Sequence, residues 1–147
     1  MHIAIAADHD GFDLKSEITT ILEELGHAFH DFGPYDRDDV DYPDYAEKVA
    51  RAVAAGEFER GILICGTGQG MAMTANKVKG IRAALSHDTF SARMSREHND
   101  ANVLCFGQRV IGPGLAADIV KTWLETGFSE QERHRRRVGK IIALDDG

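Results

Sequence analysis

Cysteine is scarce in this chain, long apolar runs are missing, and positive charge is in deficit. The two cysteines, Cys65 and Cys105, each lie in a short apolar run without a CxxC neighbour. A disulfide framework and a cysteine-based metal site of ordinary spacing are thereby excluded. No apolar run approaches the roughly 20 residues needed to cross a bilayer, and the opening MHIAIAADHD lacks the basic-then-apolar layout of a signal peptide. The expectation is a cytoplasmic protein with no membrane contact. Lys and Arg number 17 against 24 Asp and Glu, a net charge of −7. That argues against a nucleic-acid partner, because phosphate contacts need a concentrated basic footprint. One such footprint exists, Arg133-His134-Arg135-Arg136-Arg137.

What is present is enough for one core: 147 residues with a hydrophobic fraction of 43% suit one domain spanning 1–147, without linker or repeat. Apolar runs alternate with helical periodicity along its length. Strands are predicted at 2–7, 27–32, 61–65, 81–85 and 103–106, and helices at 11–25, 45–55, 69–78, 88–97, 114–125 and about 129–142. Five strands alternating with helices imply an α/β fold with a five-stranded parallel sheet covered on both faces. Ligands in such sheets bind beyond the carboxyl ends of the strands, here Asp8-His9, Gly33, Cys65-Gly66, Ser86-His87 and Gly107.

Cys65 ends a buried strand and runs into Gly66-Thr67-Gly68-Gln69-Gly70. Strand cysteines are commonly small core hydrophobes, but a sulfur beside the amides of a glycine turn is placed to become a thiolate. The turn favours the functional reading for Cys65 and leaves Cys105 in the core. Gly66, Gly68 and Gly70 let the backbone approach a ligand and aim amides at one anionic oxygen. They do not say which anion, and a dinucleotide fingerprint is a poor match: the turn follows the third strand, and position 90 is Phe90. Asp8 could cap the next helix or act chemically, and His9 could be a surface residue. His98 and Asn99 read by themselves as a solvated helix end. Arg133 and Arg137 share one helix face, which suits a phosphate but equally a solvated basic surface.

Taken together, AADHDGFDLK (6–15), DYPDYA (41–46), GILICGTGQGMAMTANKVKGIRAAL (61–85), SREHNDANVLCFGQRVIG (95–112) and RHRRRV (133–138) resemble the ribose-5-phosphate isomerase B family. That family includes galactose-6-phosphate isomerase subunits and isomerases of allose or tetrose phosphates. The resemblance implies a Rossmann-like α/β/α sandwich working in carbohydrate metabolism, with the pentose phosphate pathway as the default. It implies a homodimer, with a tetramer as the alternative, the C-terminal helix contributing to the dimer, and no metal or organic cofactor. The implied reaction interconverts ribose 5-phosphate and ribulose 5-phosphate, with allose 6-phosphate, galactose 6-phosphate or erythrose 4-phosphate as alternative substrates.

By the same resemblance Cys65 moves the proton between C1 and C2 with Thr67 beside it, and His98 opens the sugar ring with Asp8 as proton partner. Asn99 holds a hydroxyl, and Tyr42 lines the pocket. The phosphate goes to His9, Arg109, Arg133 and Arg137, the last two from the other subunit, while the Gly66 to Gly70 amides hold the enediolate oxygen. Relatives without the cysteine use a glutamate at position 69, which here is Gln69. A nucleotide-binding redox module and a nucleic-acid-binding domain are the weaker readings, and both leave Cys65, His98 and Asn99 unexplained.

Overall fold

The computed structural model describes residues 1–147. Its sheet contains β1 (His2–Ala7), β2 (Ala28–Asp31), β3 (Arg60–Cys65), β4 (Ala83–Leu85) and β5 (Val103–Gly107), all parallel, in the order β2-β1-β3-β5-β4. Helices α1 (Phe12–Glu24), α2 (Tyr42–Ala54), α3 (Gln69–Ala75), α4 (Thr89–Glu97) and α5 (Pro113–Glu125) follow the strands, and α6 (Glu132–Ala143) closes the chain.

The central strands are apolar at almost every position because both faces are covered, and their period of two deals side chains alternately to two cores. Ile3, Ile5, Ile62, Ile64, Leu104 and Phe106 pack with Leu14, Ile18, Leu22, Ile119 and Trp123 of α1 and α5. Ala4, Ala6, Leu63, Cys65, Val103 and Cys105 pack with Val49, Ala50 and Met71 of α2 and α3. The helices after β1 and β3 thus cover opposite faces. Their connections diverge and leave a crevice at the carboxyl ends of these adjacent strands.

Element boundaries depart from the sequence expectations where local chemistry intervenes. Helix α2 begins at Tyr42 rather than Tyr45, since Pro43 fits its first turn without losing a needed donor. Only Ala83–Leu85 of the expected 81–85 strand pairs with β5; Ile81 packs instead in the second core. Helix α3 stops at Ala75. Helix α6 starts at Glu132, because the chain before it turns: Glu130 takes a left-handed backbone, φ +59°, while Ser129 Oγ accepts from the Gln131 N–H at 3.3 Å and bonds to His134 Nδ1.

Candidate active site

The ends of β1 and β3 are drawn together. The Asp8 N–H donates to the Ile64 carbonyl at 3.2 Å, and Asp8 Oδ1 accepts from the Gly11 N–H at 3.0 Å, closing a short 3-10 turn at His9–Gly11. A side chain at Gly11 would meet the Ile64 carbonyl oxygen at 2.3 Å, so the approach requires glycine. Asp8 is buried, and burial pushes its pKa up, against the lowering effect of the Gly11 bond and of His9.

Beyond β3 the chain turns through Gly68, whose φ of +80° lies in the left-handed region that glycine enters without strain. This turn aims the Gly68 N–H at Cys65 Sγ, 3.1 Å away. The Gln69 N–H donates to Thr67 Oγ1 at 3.3 Å, leaving the Thr67 O–H free as a donor. Within the chain the Gly68 N–H is thus taken up by the sulfur, whereas the sequence expectation gave it to a substrate oxygen. Cys105 is wholly enclosed and its thiol is pushed up by that burial, in keeping with a core role.

The turn after β5 is zipped onto this one. The Gln108 N–H donates to the Cys65 carbonyl at 2.9 Å and the Arg109 N–H to the Gly66 carbonyl at 3.0 Å. Gln108 Oε1 accepts from the Leu14 N–H at 2.9 Å, and His87 Nε2 from the Gly107 N–H at 3.0 Å. Arg109 consequently lies beside Gly66, and Tyr42 lies against Gly70, filling the space a side chain on Gly70 would need. Asp8, Asp10, Tyr42, Cys65, Gly66, Thr67, Gly70 and Arg109 line an open cleft of about 310 Å³. His9 stands at its margin, with Nδ1 accepting from the Val40 N–H at 3.2 Å and Nε2 3.8 Å from Asp39.

The other expected residues form a second cluster on α4 and α6. His98 caps α4, and its ring lies against His134 with centroids 4.3 Å apart and planes at 32°. Asn99 faces a different groove, about 500 Å³, beside Arg82, Ser95, Ile141 and Leu144. Arg133 and Arg137 lie one turn apart on α6, as their spacing predicts. Arg135 pairs with Glu130 and Arg136 with Glu132, so the two arginines without a carboxylate partner are the two that share a face. Within one chain Asp8 bonds to Gly11 and not to His98, which leaves their expected proton partnership unformed at this level.

Several residues escaped the sequence reading. Asp10 lies in the cleft against Gly66, although DHDG carried no mark distinguishing it from a surface acid. His134 looked like one member of a basic run, yet it is buried. Burial, His98, Arg133 and Arg137 push its pKa down, so it is the neutral member of that run. His87 and Gln108 bond to backbone groups far from them in sequence, which only the folded chain reveals.

The Ribose/Galactose Isomerase family model matches residues 3–141. Ribose-5-phosphate isomerase B of Escherichia coli is 50% identical over 143 residues, covering 97% of this chain and 95% of its own length. The solved structure of Clostridium thermocellum ribose-5-phosphate isomerase B superposes with a TM-score of 0.97 at 53% identity, covering 99% of this chain and 98% of that one. The Mycoplasma genitalium ribose-5-phosphate isomerase B, solved with bound ribulose 5-phosphate, gives a TM-score of 0.95 at 41% identity, covering 99% and 96%.

Proposed function

Since the chain belongs to the ribose/galactose isomerase family, we propose that it interconverts ribose 5-phosphate and ribulose 5-phosphate, and does so as a cytoplasmic homodimer. Its two free thiols suit a reducing compartment. The observation that carries the reading is Cys65 Sγ held by the Gly68 N–H in a cleft that also contains Asp8, Thr67 and Arg109.

Moving a carbonyl from C1 to C2 requires a base for the C2 proton and donors for the enediolate oxygens. Cys65 as thiolate takes the proton from C2 and returns it to C1, while a second proton passes between O2 and O1. The Gly68 N–H supplies the donor that a deprotonated sulfur needs. The Thr67 O–H and the Gly70 N–H, which has no intramolecular partner, are left for the enediolate. Gln69 cannot substitute for Cys65, because an amide is no base.

The second cluster completes the site from another subunit. A C2 dimer brings residues of one copy to a patch on the other and repeats the arrangement reciprocally. His98, Asn99, Arg133 and Arg137 sit on two segments tied to each other, since the Ser129 N–H on the approach to α6 donates to the Glu97 carbonyl at 3.0 Å and the His98 ring lies against His134. In this arrangement His98 opens the ring with Asp8 of the facing copy, and Asn99 holds a hydroxyl. His9, Arg109 and the partner's Arg133 and Arg137 take the phosphate, at about 1.5–3 kcal/mol per charge-assisted bond.

Two experiments test this. Purified protein in EDTA is assayed on ribose 5-phosphate, with allose 6-phosphate, galactose 6-phosphate and erythrose 4-phosphate alongside; no ketose from ribose 5-phosphate would refute the assignment. Cys65→Ala and His98→Ala, each inactive alone, are then mixed after mild denaturation. Random pairing regenerates about a quarter of wild-type activity, because half the dimers are mixed and each of these holds one intact site. No recovery from refolded, dimeric protein would place both residues in one subunit's site.

A further inference from the structure

His98 has no side-chain hydrogen bond within its chain; its N–H donates to the Met94 carbonyl at 2.9 Å, which fixes the backbone but not the ring. An imidazole that must exchange protons with a sugar oxygen has to keep one orientation. Within its own chain, packing is the support left to it.

The neighbour whose ring lies against it is His134, tilted at 32° with centroids 4.3 Å apart. His134 is buried and is itself held: Nδ1 bonds to Ser129 Oγ, and its N–H donates to the Gln131 carbonyl at 2.9 Å. The Ser129 N–H in turn donates to the carbonyl of Glu97, the residue before His98, at 3.0 Å. Glu97, Ser129, His134 and His98 thus form a closed ring of contacts between α4 and α6. On the other side of His98, Asp100 accepts from Arg96 at 2.9 Å and keeps a left-handed backbone, φ +49°, that turns the chain toward β5.

We infer that His134 is a positioning residue for ring opening, its ring contact holding the His98 imidazole in its working orientation. Two imidazolium rings in such contact would repel, so the support must remain neutral while the working ring changes charge. Arg133 and Arg137, flanking His134 on α6, oppose its protonation, against the single opposing charge of Glu97. A neutral π face in turn favours a cation above it.

This inference rests on the isomerase reading, and its test uses a difference between the two sugars. Ribose 5-phosphate is mostly a ring and must be opened. Ribulose 5-phosphate, with O5 phosphorylated, is open-chain, so exchange of its C1 hydrogen with D2O needs the base but no ring opening. His134→Ala, His134→Phe and Ser129→Ala are compared with wild type for turnover of ribose 5-phosphate and, by NMR, for C1 exchange of ribulose 5-phosphate.

His134→Ala should lower kcat by about tenfold or more, the scale of a misaligned acid–base group, with KM and C1 exchange within about threefold of wild type. His134→Phe, which keeps a flat ring, should recover most of the lost kcat, and Ser129→Ala should fall between. Should the alanine variant not fold, the phenylalanine and Ser129 variants carry the same comparison. A raised KM at unchanged kcat would make His134 a phosphate ligand instead. Equal loss of turnover and exchange, or no recovery in His134→Phe, would reduce it to a structural residue. Wild-type protein inactive on both sugars would instead overturn the isomerase reading.

Discussion

Gly107→Ala should damage both stability and turnover, although it adds only one methyl group. A Cβ there would lie 2.5 Å from the Gly66 carbonyl oxygen, 2.5 Å from Thr67 Cα and 2.6 Å from the Thr67 carbonyl carbon. Ordinary contact begins near 3.4 Å, so the two turns must part by roughly 1 Å, and no flexible side chain is available to yield. Overpacking of this kind costs about 1–3 kcal/mol, a Tm lowered by about 2–10 °C for a chain of this size. The displaced backbone carries Thr67 and the amide held by Cys65 Sγ, and a misplacement of about 1 Å at reacting groups costs on the order of 100-fold in rate. Differential scanning calorimetry together with kcat/KM on ribose 5-phosphate measures both. Activity within about threefold of wild type in a correctly folded variant would show that the β3 and β5 turns need not be in register for catalysis, and the geometric reasoning would fail.

The same substitution elsewhere should do the reverse. Gly139 lies inside α6, where an added methyl group would meet nothing within 4 Å, so Gly139→Ala should stabilise by about 0.5–1 kcal/mol, read as a small rise in Tm at unchanged kcat. Asp8→Asn should abolish the Asp8 proton partnership but raise Tm near pH 7. The carboxyl's folded pKa is raised, so its neutral form is preferred on folding and stability is lost as pH climbs through the interval between the unfolded and folded pKa values. The Tm advantage of the variant should close below the ordinary Asp range, and an advantage independent of pH would refute the cause. Arg60, with its pKa lowered by burial to about 10, stays charged at neutral pH. It donates to the Trp123 and Leu124 carbonyls at 2.7 and 3.2 Å and lies over the Trp123 ring. Arg60→Met should therefore cost about 2–3 kcal/mol in urea unfolding by stranding the end of α5, with kcat retained.

The fold was legible in the chain because its evidence is local. Continuous apolar runs such as GILIC and VLCF, bounded by glycine turns and separated by helical periodicity, leave little besides a parallel sheet covered on both faces. Cys65 was legible for a related reason: a strand ending directly in three alternate glycines announces a close backbone approach. Arg133 and Arg137 could be paired by their spacing, but their freedom from carboxylates depended on Glu130 and Glu132 choosing Arg135 and Arg136. Which of several neighbouring charges pair is decided by rotamers and backbone angle, and spacing alone cannot tell them apart.

Sequence by itself determined that Cys65 ends a buried strand in a glycine turn, whose Gly68 enters the left-handed region, since chain connectivity and backbone sterics act there within a few residues. Tertiary structure decided what that turn meets. Placing β5 between β3 and β4 lays Arg109 beside Gly66, and the start of α2 sets Tyr42 against Gly70. The tie between α4 and α6 carries His98 and the arginines away from the cleft in their own chain. These contacts join segments tens of residues apart, where the pairing depends on strand order and side-chain packing, and neither leaves a periodic mark along the chain.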